Sequence, residues 1–231
     1  MNSQLTKHNP TIKFNSLGAF FASPAINALC QLNLISSAIS SYIGGTYANE
    51  QYETLEDFLH RLNDKVQYLQ REKIDKVFLD SKEGRRVIGK VFRSVLRDNR
   101  TEKIQAMATL TANVYIKSKL TIDEKELYVD ILDELNSLQL SILQKAVLDM
   151  RERTVNKHRG FGLELLAKDY EQKGIYKALL LQSIRTLESS GLINKNSATI
   201  QETDKTHFIT DFGEQFFDFV FEQLKEGSPY L

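Results

Sequence analysis

Four histidines, one cysteine and a few clustered carboxylates are the groups that could do acid-base, nucleophilic or metal chemistry in this chain, and their spacing argues against each. His8, His60, His158 and His207 lie in four unrelated contexts without a second ligand at metal-binding spacing, so each reads as a satisfied or solvent-facing imidazole. Cys30 stands in an uncharged stretch with nothing to stabilise a thiolate. Being the sole cysteine, it excludes an internal disulfide and a cysteine zinc cluster, which fits a reducing compartment. Asp130, Asp133 and Glu134 could act as general acid and base, but on a charged amphipathic helix they read as surface. "RGFGLELL" holds one Gly-x-Gly without the preceding strand or the third glycine of a dinucleotide turn, and neither a phosphate loop nor a Gly-x-Ser-x-Gly elbow occurs. The expectation is a protein that is no enzyme and has no cofactor or metal.

What remains is the display of charge. Arg86, Lys90, Arg93 and Arg97, spaced 4, 3 and 4, share one helix face over roughly 16 Å at 1.5 Å per residue. They form a candidate surface for an anionic partner, whether phosphate, lipid or an acidic protein. Asp123, Glu126, Asp130 and Asp133 repeat at 3, 4 and 3 on another helix. The two stripes could instead pair with each other, within one chain or across a dimer.

Helices must carry both stripes, and the composition agrees. Only three prolines and eleven glycines interrupt the 3.6-residue patterns of a 231-residue chain that is 42% hydrophobic, enough for one large domain or two small ones. Thirty basic and thirty acidic side chains leave no global field to draw in nucleic acid or anionic lipid. The amino terminus, MNSQLTKHNPTIKF, lacks the charged start and apolar core of a secretion signal, so a cytoplasmic address is expected.

From Phe14 to Asn49 no residue is charged, yet Pro24, Asn27, Gln31 and Asn33 break any run long enough to cross a bilayer. This segment reads as a helical hairpin that is buried or faces an oligomer. Phe20, Phe21, Ile35, Ile39, Tyr42 and Ile43 are its candidate oligomer or membrane contacts, and triggered membrane insertion is the alternative. Thr54 is placed to cap the next helix, with Leu59, Leu62, Val66 and Leu69 as its buried stripe. Further core stripes are Ile88, Val91, Phe92 and Val95; then Ile104, Met107, Ala108, Thr111, Val114 and Tyr115; then Leu127, Ile131, Leu132 and Leu135 behind a Thr121-x-x-Glu124 capping box. Asn136 or Ser137 restarts a helix, and residues 156–162 read as a loop.

The last part reads as helix, helix, strand, strand, helix. The Leu187-Glu188…Gly191-Leu192-Ile193 junction and the Thr210-x-x-Gly213 entry to the final helix resemble the winged-helix superfamily. That likeness implies a mainly α fold: an amino-terminal helical bundle followed by a winged helix-turn-helix module with a small hairpin wing. The expected units are residues 1–50, an uncharged interaction segment; 51–136, the bundle; and 137–231, the winged-helix-like domain. Lys177, Gln182, Arg185 and Thr186 would be the nucleic-acid contacts of such a module. Residues 161–231, however, hold seven Lys or Arg against eleven Asp or Glu, net −4, and polyanion affinity rests on cations. Leu179, Leu180 and Leu181 read as an extra apolar face that meets the bundle.

The segments "EKIQAMATLTANVY", "LDELNSLQLSILQK" and "RTLESSGLI…THFITDFGEQFFDFV" further resemble bacterial Abi-alpha abortive-infection proteins over about residues 100–222. Thr109 and Thr111 depart from the leucine or alanine usual there. The resemblance implies a role in phage defence and assigns no catalytic residue. Together these readings predict a bacterial interaction protein acting with a protein partner or as a homo-oligomer. A DNA-binding regulator and a membrane-disrupting effector are the alternatives.

Overall fold

The computed structural model of the chain describes residues 48–66, 73–153, 160–195, 206–222 and 224. The expected contacts Phe20, Phe21, Ile35, Ile39, Tyr42 and Ile43 lie outside them, as do Cys30, His8 and His158. The described residues are mainly helical, with one small antiparallel sheet. In chain order the elements are α1 (Ala48–Val66), α2 (Lys76–Asp80), α3 (Lys82–Arg97), α4 (Thr101–Val114), α5 (Ile122–Glu134), α6 (Ser137–Arg153), β1 (Gly160–Gly162), α7 (Leu163–Gln172), α8 (Lys177–Ser189), β2 (Ile193–Lys195), β3 (Thr206–Ile209) and α9 (Asp211–Phe221).

Helix α4 is the hub, packed by α1, α3, α5 and α9. From Ala106 to Val114 every residue is buried, because alanines and threonines let neighbouring helices close in from all sides. The threonines tolerate burial by returning their hydroxyls to their own helix, Thr109 to the Gln105 carbonyl at 3.0 Å and Thr111 to that of Met107 at 2.6 Å. Asn113, fully buried on the same helix, closes the far end of α9. Its Nδ2 donates to the carbonyls of Phe219 and Glu222, both at 2.8 Å, and its Oδ1 accepts from the Leu224 N–H at 3.1 Å. One side chain thus satisfies terminal backbone groups that would otherwise be orphaned away from water.

Two buried lysines do similar work at helix C-termini, where the dipole favours a cation. Lys103 Nζ donates to the carbonyls of Asp133 and Leu135, at 2.6 and 2.8 Å, closing α5. Lys125 reaches the Val114 carbonyl at 3.3 Å at the end of α4 and lies 4.6 Å above the Phe78 ring. Burial pushes both pKa values down, which nearby aspartates partly offset.

The remaining ends follow the sequence signals. Thr121 and Glu124 form the expected capping box of α5. Asn136 and Gln139 exchange backbone-to-side-chain hydrogen bonds at the start of α6, at 2.8 and 3.0 Å. Thr54 does not cap: α1 begins six residues earlier, at Ala48, and the Thr54 hydroxyl bonds back to the Glu50 carbonyl at 2.8 Å. Leu127, expected in the core, is 45% exposed, because it shares the outward stripe of Asp123, Asp130 and Glu134.

The sheet has the order β1-β3-β2, so the two hairpin strands β2 and β3 are joined by a strand from before α7. That strand lies within the stretch 156–162 expected as loop. The turn between α8 and β2 fixes where the sheet meets α9. Gly191 takes φ +72°, and its carbonyl accepts the Thr210 hydroxyl at 2.6 Å. Thr210 also caps α9 by accepting from the Gly213 N–H at 2.8 Å. A Cβ on Gly213 would stand 1.9 Å from the Leu192 carbonyl oxygen, so glycine is the only residue that lets the two segments touch.

The core is continuous from Leu55 to Leu224 and crosses the boundary expected near residue 136. Tyr128 of α5 sits among Phe212, Phe216 and Phe219 of α9, with ring centroids 5.2 to 5.8 Å apart, and its hydroxyl bonds Gln215. Helix α9 therefore packs against α4 and α5 as well as against α6 of the sheet-bearing part.

Candidate functional site

Among the described residues no group of three or more His, Cys, Asp or Glu side chains could hold a metal ion. No described helix is long and apolar enough to cross a membrane. His207 is buried on β3 with its Nε2 3.2 Å from the Glu188 carboxylate of α8, while His60 is exposed and lies 3.9 Å from Glu56.

The two opposite stripes meet. Helices α3 and α5 pack side by side, and Arg86 bonds Glu126 at 2.5 Å, Lys90 bonds Glu126 and Asp130 at 2.7 Å, and Arg97 bonds Asp133 at 2.5 Å. Burial opposes the Lys90 charge, but its hydrogen bonds to Asp130 and Glu126 outweigh that and raise its pKa. The Lys90 hydrogen bond, aided by that of Arg86, lowers the pKa of Glu126. Arg93 stays exposed, with its Nε 3.2 Å from the Gly89 carbonyl of its own helix. Nearby, Asp98 is held at about 2, below the ordinary 3.8, chiefly by its Arg100 hydrogen bond and further by Lys103. Three of the four cations are thus committed within the chain.

The second surface is α8. Its buried side, Leu180, Ser183, Ile184 and Leu187, rests against α6, α7 and β2. Its outward side brings together Ala178, Gln182, Arg185 and Ser189, all exposed, with Leu181 and Thr186 half-buried at the flanks; Lys177 is exposed at the first turn. Of the four candidate contacts, Gln182 and Arg185 share that side; Lys177 and Thr186, nine residues apart, lie about half a turn from each other around the helix, and the Thr186 hydroxyl turns back to the Gln182 carbonyl at 3.2 Å. Of the three leucines expected to meet the bundle, only Leu180 is buried; Leu179 is 51% exposed because the helix rests on α6 and α7 instead.

Sequence reasoning missed Tyr176. It occupies the N-cap of α8, makes no side-chain capping bond there and is 82% exposed. The signal was present, since tyrosine is a poor N-cap and takes that position without local benefit.

Among the described residues, several carboxylates of the carboxyl-terminal part are engaged away from the outward side of α8. Asp218 and Glu222 of the α9 end bond Arg151 of α6, with Glu214 at 3.7 Å; Asp169 bonds Lys145, and Glu188 faces His207. Among the described residues no carboxylate pairs with Lys177 or Arg185, so α8 carries two exposed positive charges. No family model matches the chain, and comparison with curated proteins and with solved structures finds no match either.

Proposed function

We propose that the chain is a non-enzymatic interaction protein whose residues 137–221 form a winged-helix module that docks a protein partner through the outward side of α8. The order α6, β1, α7, α8, β2, β3, with sheet order β1-β3-β2, supports the winged-helix reading. The observation that carries the docking role is the exposure of Tyr176 and Leu179 beside Ala178 and Gln182. Exposed tyrosine is enriched at interface centres, and Leu179 beside it adds apolar area to the same end of the helix. The resemblance to abortive-infection proteins over residues 100–222 supports placing that partner in phage defence.

Native mass measurement of the tagged full chain tests this. A stoichiometric companion chain is expected, lost in the double variant Tyr176→Ser, Leu179→Asp while Tm and helicity hold. The DNA-regulator reading is favoured by one observation, the exposure of Lys177, Gln182 and Arg185 on α8 with no carboxylate pairing the two cations among the described residues. Two cations, however, account for a salt dependence of only about −2 in log–log slope, well below that of a protein making six or more phosphate contacts. A duplex mobility shift that survives Tyr176→Ser, Leu179→Asp but is lost in Lys177→Gln, Arg185→Gln would replace the protein-docking reading with the DNA one.

A further inference from the structure

We infer that the outward face of α3 and α5 is the contact surface of a homodimer in which α3 of each copy lies along α5 of the other. Each helix carries more charge than its neighbour consumes. Helix α3 has six cations and one carboxylate, and α5 has six carboxylates and one lysine, yet only Arg86, Lys90 and Arg97 pair with Glu126, Asp130 and Asp133. The outermost row of α3 is Lys82, Arg86, Gly89 and Arg93, spaced 4, 3 and 4. That of α5 is Asp123, Leu127, Asp130 and Glu134, with the same spacing. Each row keeps to one stripe through about three helical turns. The charges at the row ends are exposed and unused: among the described residues no carboxylate meets Lys82 or Arg93, and no cation meets Asp123 or Glu134. Arg93 hydrogen-bonds the Gly89 carbonyl of its own helix.

The internal pairs advance in the same direction along both helices, so α3 and α5 are parallel, with Lys82 level with Asp123 and Arg93 level with Glu134. A two-fold axis parallel to the helices, in the plane of contact, lays α3 of each copy over α5 of the other at that level. Lys82 then meets the partner's Asp123 and Arg93 the partner's Glu134, each twice by symmetry. Between them, Arg86 keeps its Glu126 bond and lays its stem across the partner's Leu127, which is 45% exposed. Gly89 faces the partner's Asp130, which Lys90 of its own chain already holds. A mid-helix glycine weakens a helix, and no packing within the chain calls for one here, since a Cβ on Gly89 would meet nothing within 4 Å. Close approach of a second helix gives it a use. An axis across the helices would instead set α3 on α3 and α5 on α5, like charge on like. A polyanion or anionic membrane drawn to α3 would meet the carboxylates of α5 one helix away. A second copy supplies both signs at the required spacing. Exposed pairs are weak and screened, so the dimer is reversible and loosens with salt. This face lies on other elements than α8 and does not depend on the protein-docking reading.

Sedimentation velocity of the full chain at low and high salt is the experiment, with Arg93→Glu and Glu134→Arg as separate variants. Expected is a concentration-dependent dimer, about tenfold weaker in each variant because two symmetric contacts turn repulsive. Mixing the two variants restores opposite charges at both contacts, so a heterodimer of near-parental affinity is expected. The Tm of the dilute, dissociated chain should be the same in all three proteins, and Tyr176→Ser, Leu179→Asp should leave the dimer intact. A chain that stays monomeric at low salt overturns the proposal, whether or not this face captures another protein. So does a dimer that ignores both charge variants, one that is lost with Tyr176→Ser, Leu179→Asp, or a mixture that stays monomeric.

Discussion

Asn113 turns both amide N–H groups and its oxygen to the end of α9, about a hundred residues away in sequence. Asn113→Ala would leave two carbonyls and one N–H buried without it, a loss of about 2 to 4 kcal/mol, read as a lower urea midpoint at unchanged slope. Asp98 gives a pH-dependent counterpart. Its folded pKa lies below its unfolded value, so its stabilisation is complete above about pH 4 and is lost as pH falls through about 2. Asp98→Asn is expected to cost about 1 kcal/mol near neutral pH, allowing for solvent screening, and the gap to the parent protein should close across that acidic window. Gly213→Ala should be the severest single change here, failing to yield folded protein by circular dichroism, since backbone rather than a movable side chain blocks the new methyl. Thr210-x-x-Gly213 was legible because a cap and a glycine form a local pattern. Asn113, Lys103 and Lys125 were not recognised as caps, because their partners are far away in sequence and their spacing looks like that of any core position.

At the scale of elements, the opposite stripes on α3 and α5 could be read from spacing alone, and the helices lie close enough for them to meet. Spacing could not say whether they met within the chain or displayed themselves to a partner. Exposed pairs of this kind contribute about 0 to 1 kcal/mol each, so Arg97→Glu should lower Tm slightly and Asp133→Arg added to it should restore the value, an effect weakened by high salt. Arg93→Ala should leave Tm unchanged, since Arg93 meets no carboxylate among the described residues. Leu127 and β1 show where periodicity fails. Leu127 is one of several leucines in its helix, and the acidic residues four before and three after it place it on the wet side. Strand β1 is three residues long with two glycines, too short to show alternation, and only its pairing with β3 defines it.

Across the whole molecule, one core joins parts that the sequence suggested dividing at residue 136. Composition could not foresee this, because the aromatic residues of α9 would equally suit a module packed on itself. Unfolding is therefore expected as a single cooperative transition, with matching calorimetric and van't Hoff enthalpies and similar amide-exchange protection in α4 and α9. Two separated transitions would show that the parts are energetically independent.

The position of Tyr128 among three phenylalanines bears on how the protein can be dissected. Severing the polypeptide ahead of α6 would leave Phe216 and Phe219 as a raw greasy wound on one fragment and an unfilled notch on the other. Such pieces should clump or adhere to unrelated baits, so an apparent hit from a two-hybrid truncation would report damage. Point substitutions in the intact protein avoid that artefact.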